Sequence, residues 1–145
     1  MSFNSDQLDK KIKTMEEKEA VEMLFSLLTS SKTVESKIKA TELLNRYSDN
    51  EKNRFQELKT IFLNDQHPQL RLGLIDLLID WYKIDCIGFL KEQYKNCKDG
   101  SVRAKLIGMV GQLNLDHSIP FLIEALNDSD FEVKKKAIVF LGKTE

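Results

Sequence analysis

The chain is poor in the residues that break helices, with only 6 glycines and 2 prolines among 145 residues. That is too few to serve the many turns of a strand-rich fold. Cysteine is scarcer relative to need: Cys86 and Cys97 alone support no disulfide framework, and a reducing cytoplasm is the expected setting. No window holds the ~18 apolar residues that span a bilayer, so no membrane role is expected. The charged stretch from Asp6 to Glu19 also lacks the apolar centre of a signal peptide. An excess of positive charge is missing too, with 22 Lys and Arg against 23 Asp and Glu. Proteins that grip nucleic acid usually carry such an excess, at least as a patch, so a nucleic-acid partner is not expected.

What is present is a globular composition, 41% hydrophobic and 31% charged, which excludes a disordered chain. Its length fits one domain, burying about 70% of its unfolded surface if compact. The apolar residues are mostly Leu, Ile, Phe and Met, and together with the many Lys and Glu they are strong helix formers.

The main signal is a repeat of about 32 residues. The segment beginning Ile119-Pro-Phe-Leu-Ile-Glu-Ala-Leu echoes those beginning at Ile87, Phe55 and Val21. Apolar residues align in three columns: Val21/Phe55/Ile87/Ile119, Leu24/Leu58/Leu90/Leu122 and Leu28/Phe62/Tyr94/Leu126. Spacings of three and four make one stripe of an α-helix, called A here. Between the A segments lie copies of a second helix, B, beginning at Ser36, Leu70, Val102 and Val133, whose fifth, eighth and ninth places are apolar throughout. Four A/B pairs result, over about 18–47, 51–82, 85–114 and 117–145, preceded by a polar helix over about 6–15.

The punctuation agrees. Ser48-Asp-Asn-Glu51 and Ser129-Asp-Phe-Glu132 read as capping boxes. Pro68 and Pro120 fall in first turns, where a missing N–H costs nothing. Asp85, Ser101, and Asp116 or Ser118 are the other expected N-caps.

The run Asp116-His-Ser-Ile-Pro-Phe-Leu-Ile-Glu-Ala-Leu-Asn-Asp-Ser-Asp-Phe-Glu-Val-Lys-Lys-Lys-Ala-Ile-Val-Phe-Leu-Gly resembles a unit of the HEAT and phycobilisome-lyase HEAT-like repeats. The family pattern is an "IPxLxxxL-x-D" helix, a turn, then "V-R/K-xxA-xxxLG". The match is close in the last two repeats and degrades toward the N-terminus, where Ser36 and Asn45 replace the valine-like and glycine places. The resemblance implies an all-α, short right-handed α-solenoid of four antiparallel helix pairs preceded by an N-terminal helix. Such stacks commonly serve as protein-binding scaffolds, and the resemblance implies no reaction.

In solenoids of this type the B helices line the concave face. The polar places left after the core is assigned then name the candidate partner-binding residues: Lys39, Glu42, Arg46, Asp76, Asp80, Lys105, Gln112, Lys136 and Lys143. This mixed-charge face suits a protein partner of unknown identity better than a polyanion. Solvated helix faces carry the same residue types, so each has a plain structural reading beside the functional one. The column Arg71, Arg103 and Lys134 matches a basic place in the family pattern, and the expectation is that it bonds acidic turn residues of a neighbouring repeat.

Other residues read as structural. Trp81 aligns with Tyr47 and Leu113 and belongs to the core. His67 and His117 have no Cys, Asp or Glu set at ligand spacing, so no metal is expected. Cys86 and Cys97 flank the third A helix, and nothing in the sequence around them marks a reactive thiol. Gly108 and Gly111 sit inside a helix and permit close helix contact, with no phosphate loop following. No catalytic constellation and no cofactor can be proposed from spacing.

At the C-terminus, Lys135 is polar where Ile38, Leu72 and Ala104 stand in other copies, as a capping repeat requires. Yet Ile138, Val139, Phe140 and Leu141 lie close to the last residue. This end is therefore expected to be stickier than the other, docking a partner or self-associating through the C-terminal helix, unless the sequence is cut from a longer array. The leading function is a non-enzymatic adaptor, scaffold or inhibitor. The alternatives are a HEAT-like nucleic-acid enzyme of the DNA glycosylase type and a chromophore-lyase-associated protein. The first needs a basic concave track facing a flipped base, which balanced charge opposes; the second rests on the family name alone.

Overall fold

A computed structural model of the chain describes residues 4–48, 54–113 and 116–143. The described residues are all helix and connecting turn, in two compact units, Met1–Trp81 and Tyr82–Glu145.

In the N-terminal unit a short helix α1 (Ser5–Lys13) precedes the pair α2 (Glu17–Ser30) and α3 (Val34–Leu44), then the pair α4 (Phe55–Asn64) and α5 (Pro68–Tyr82). The first pair packs along its length, and α1 lies against α3. In the C-terminal unit α6 (Ile87–Asn96) pairs with α7 (Gly100–Gln112), and α8 (Ile119–Ala125) pairs with α9 (Phe131–Gly142). Short 3-10 turns, Lys83–Cys86 and Asp116–Ser118, lead into α6 and α8. Lys83 turns the chain there in the left-handed region, with φ of 50°.

The helices form where apolar residues recur at helical spacing. The A-helix column Leu24, Leu58, Leu90 and Leu122 is at most 1% exposed, as is the B-helix column Ala40, Leu74, Leu106 and Ala137. Burying a leucine side chain stabilises by roughly 1.5–3 kcal/mol, so these columns dominate the packing of each pair.

Neighbouring B helices share a register in both units. Gly73 of α5 faces Thr41 of α3, where an added Cβ would stand 2.8 Å from the Thr41 hydroxyl. The Asn45 amide donates to Asp76 at 3.4 Å. In the C-terminal unit Gly108 of α7 lies beside Lys136 of α9, and Gly111 lies against the Phe140 ring so closely that a Cβ would collide with it. The glycines therefore mark where one B helix seats the next.

The helix starts depart from several expectations. For α9 the cap is Asp130, whose carboxylate accepts from Glu132 N–H at 2.9 Å and Val133 N–H at 3.4 Å, and not Ser129. The reason is that Asp128 accepts the Asp130 N–H at 2.8 Å, an Asx turn that sets the chain one residue further on. For α7 the cap is Asp99 in place of Ser101, whose own N–H donates to the Asp99 carboxylate. No side chain caps α6: the 3-10 turn runs into it and supplies a backbone acceptor at Ile84, so Asp85 has no orphan amide to meet. Ser118 occupies the N-cap place of α8 without a side-chain cap bond, and its hydroxyl is buried without a partner among the described residues. Pro68 opens α5 and Pro120 lies in the first turn of α8. The Ser48–Glu51 box falls outside the described residues beyond Ser48. One box absent from the expectations closes α1, where Asn4 accepts from Gln7 N–H at 2.8 Å and donates back to its side chain at 3.3 Å.

Candidate interaction surface

The strongest polar cluster of the C-terminal unit gathers on Asp128, in the turn between α8 and α9, whose side chain is 6% exposed. Arg103 of α7 grips it with Nε at 3.0 Å and Nη2 at 3.1 Å. The Tyr94 hydroxyl and the Asp130 N–H donate to the same carboxylate. Burial alone would raise the Asp128 pKa, but these donors, Arg103 foremost, outweigh it and hold the carboxyl below its ordinary value. Burial and the Asp128 carboxylate push the Tyr94 phenol up. Each carboxylate oxygen has two donors, so the group is satisfied and has no lone pair left for a ligand.

The same device holds the N-terminal unit in lighter form. Lys37 of α3 meets Asp65, in the turn between α4 and α5, at 3.2 Å. Asp65 also accepts the His67 N–H at 3.0 Å; burial would raise its pKa, and this bond with Lys37 lowers it. The next cation of the column, Arg71, donates Nε to the Asp65 carbonyl at 2.7 Å and stacks on Phe62. Arg103 does likewise, donating Nη1 to the Cys97 carbonyl at 2.9 Å. Arg71 and Arg103 thus clamp the turn of their own pair, and Lys37 and Arg103 reach the acidic turn of the next pair in their units.

The candidate partner-binding residues divide. Lys39 and Arg46 both pair with Asp9 of α1, at 3.3 and 3.1 Å, and Lys39 also meets Glu42 at 3.9 Å. Partial desolvation would raise the Asp9 carboxyl, and Lys39 and Arg46 lower it further than that. Asp76 is exposed and accepts from Asn45; Asp80 is exposed on the same helix. Lys105 and Gln112 are exposed on α7, Lys136 is half-buried beside Gly108, and the Lys143 amine lies over the Phe140 ring. In the first pair Lys39 and Arg46 are already engaged by α1, while exposed Glu42 meets only Lys39.

Residues that sequence reasoning left out include Asp9 itself and buried Arg54, which pairs with Glu22 and Glu57 and lies 4.3 Å over the Phe25 ring. Neither carries a periodic signature; Asp128 does, as the acid after the A stripe. Trp81 is half-buried, with its indole N–H on the Tyr47 carbonyl at 3.0 Å and its ring 6.1 Å from Phe25. Cys86 is buried, donates to the Lys83 carbonyl, and is pushed by burial to a pKa of about 12. The His67 Nδ1 is buried without a hydrogen-bond partner among the described residues.

A cleft of about 430 Å³ lies between α2, α3 and α4, lined by Leu28, Gln56, Thr60, Ile61 and the Lys37–Asp65 pair. Its two charged groups at that end face each other. Among the described residues no group of three or more His, Cys, Asp or Glu could hold a metal ion, and no helix is long and apolar enough to cross a membrane.

The outward side of α9 is different. Phe131 is 73% exposed, Ile138 61% and Val139 47%, with Ile123 of α8 at 52%.

No curated protein matches the chain. Residues 87–145, which include all of α6 to α9, match the model of the HEAT repeats, so this part of the chain is HEAT-repeat-like.

Proposed function

We propose that the chain is a non-enzymatic, cytoplasmic protein-interaction module, a right-handed run of helix pairs that binds a protein through exposed polar places on its B helices or through the outward side of α9. The observation that carries this reading is how the buried and half-buried charges are used. Asp128, Asp65 and Arg54 each meet an oppositely charged side chain of the same unit and hold its helices together. What faces out is helix surface of mixed charge, with Asp76 and Asp80 on α5 and Lys105 and Gln112 on α7. The HEAT-repeat-like character of residues 87–145 supports the same class of activity.

The experiment is affinity capture from native lysate with wild type and with Asp76→Lys/Asp80→Lys. A specific protein retained by wild type and lost by the variant supports the reading and locates the contact on α5. Recovery of nucleic acid, or of small molecules alone, refutes it.

A further inference from the structure

The helix α1 lies on the side of α3 that a B helix uses to meet the B helix before it. In α5 that side is the fourth and seventh places, Gly73 and Asp76, which meet α3. In α9 it is the fourth and eighth places, Lys136 and Phe140, which meet α7. On α3 the fourth and eleventh places, Lys39 and Arg46, reach Asp9 of α1 at 3.3 and 3.1 Å. The eleventh place follows the seventh and eighth by one turn, on the same side. Leu8 and Ile12, one turn apart on α1, are both buried.

This joint is made differently from the two between B helices. Those close on glycines, Gly73 in one and Gly108 and Gly111 in the other, whereas neither α1 nor α3 contains a glycine. Five of the nine α1 residues are charged, and among its described side chains only Leu8, Asp9 and Ile12 are not exposed. A helix this short does not persist in water without tertiary contacts, so α1 undocks and unfolds together. Opening it gives up two apolar anchors, while α2 and α3 each bury five side chains. Release of α1 is therefore a local event that leaves the first pair folded.

We infer that α1 is an autoinhibitory latch on the B-helix face of the first pair. Docked, it occupies Lys39 and Arg46. Released, it opens them, with the apolar seat of Leu8 and Ile12, to an amphipathic helix of a partner protein. The contacts of α1 define that helix: two apolar residues four apart and a carboxylate directly after the first, as in Leu8, Asp9 and Ile12. Two cations converging on one place select an acid there and repel a lysine or arginine. This rests on the proposed interaction function and adds the regulation of its site.

Two measurements on the full chain test it. Amide exchange in wild-type α1, from the Leu8 N–H onward, is expected to be at least about 100-fold faster than at the slowest amides of α2 and α3. Raising salt from about 0.05 M to about 1 M should speed exchange in α1 alone. Asp9→Lys should speed it about tenfold or more, the scale of reversing two half-exposed ion pairs. Exchange of α1 in step with α2 and α3 overturns the inference, since α1 is then a fixed part of the unit.

The second measurement uses a fluorescent synthetic peptide of residues 3–15 as the probe. In the chain, Leu8→Glu/Ile12→Glu should undock α1 and give saturable peptide binding. Binding to wild type should be at least about tenfold weaker, because its own α1 competes at high local concentration. Asp9→Lys in the peptide should weaken binding about tenfold. Trp81 fluorescence checks that the N-terminal unit stays folded. Asp9→Lys in the chain is the milder host, expected to bind the peptide more tightly than wild type does. Absence of binding to a folded host, equal binding to wild type, or indifference to the peptide's charge overturns the inference. Lysate capture that depends on Asp76 and Asp80 of α5 does not involve α1, so failure here and failure of the proposed function are read separately.

Discussion

Replacing Asp128 tests the central claim about how the C-terminal unit is held. Asp128→Ala removes both Arg103 contacts and leaves that guanidinium, only 14% exposed, without its partner. It also strands the Tyr94 hydroxyl and the Asp130 N–H. Breaking one side of a buried pair costs about 3–5 kcal/mol, and this pair keeps some contact with solvent, so a loss of about 2–4 kcal/mol is expected. Urea denaturation followed by helical circular dichroism measures it. Trp81 lies in the N-terminal unit, so its fluorescence in the same titration follows that unit. A cycle with Arg103→Met should return a coupling of about 1–3 kcal/mol. The pH dependence has a definite sign. The folded pKa of Asp128 is depressed, so its contribution is complete above the unfolded value of about 3.9 and is lost as pH falls through the lower folded value. The stability gap between wild type and Asp128→Asn should therefore be full at pH 7 and shrink below about pH 4. A gap that stays constant into acid, or a loss for Asp128→Ala below about 0.5 kcal/mol, which is surface-substitution scale, would refute the reasoning.

The glycines of α7 give opposite expectations. Gly111→Ala drives a methyl into the Phe140 ring and should cost about 1–3 kcal/mol, whereas Gly108→Ala meets only the flexible end of Lys136 and should gain up to about 1 kcal/mol of helix propensity. Denaturation midpoints of the two variants check this, and a shared sign would count against the packing of α7 on α9. Cys97, half-exposed, should react with a thiol reagent at neutral pH while Cys86, buried and with its pKa pushed to about 12, stays unmodified until the protein unfolds. Mass spectrometry of the labelled protein finding Cys86 modified first would contradict that assignment.

The buried helix columns were legible in the sequence because the core imposes one chemistry at one spacing. Leu24, Leu58, Leu90 and Leu122 announce themselves by recurrence, and so do the small or branched residues at the fifth B place. The caps were legible only to within a residue or two. Ser129 and Asp130 both qualify by type, and the choice fell to the Asx turn made by Asp128, which no periodicity encodes. The position of α1 was not legible at all. Asp9 is far in sequence from its partners Lys39 and Arg46 and belongs to no repeat. The exposed apolar side of α9 was half legible: the run from Ile138 to Leu141 stood out, and the repeat alignment assigns only its last two members to core places. Phe140 and Leu141 are indeed partly buried and Ile138 and Val139 exposed.

Polarity at a place assigned to the concave face is not the same as availability to a partner. The fourth and seventh B places lie near the line where neighbouring B helices meet, which is why Gly73 and Gly108 occur there. Two side chains at those places are drawn into contacts within the unit: Asp76 to Asn45, and Lys136 beside Gly108. On the first pair α1 adds a second claim, through Asp9, on Lys39 and Arg46. A partner reaching that pair must displace ion pairs worth up to about 1 kcal/mol each in such half-exposed settings. Lys105 and Gln112, exposed on α7, carry no such competition in the contacts described. Substituting them should therefore change binding without changing stability, whereas substituting Lys39 or Arg46 should change both. Measuring affinity and denaturation midpoint on the same four variants separates a true contact residue from one that only holds α1 in place.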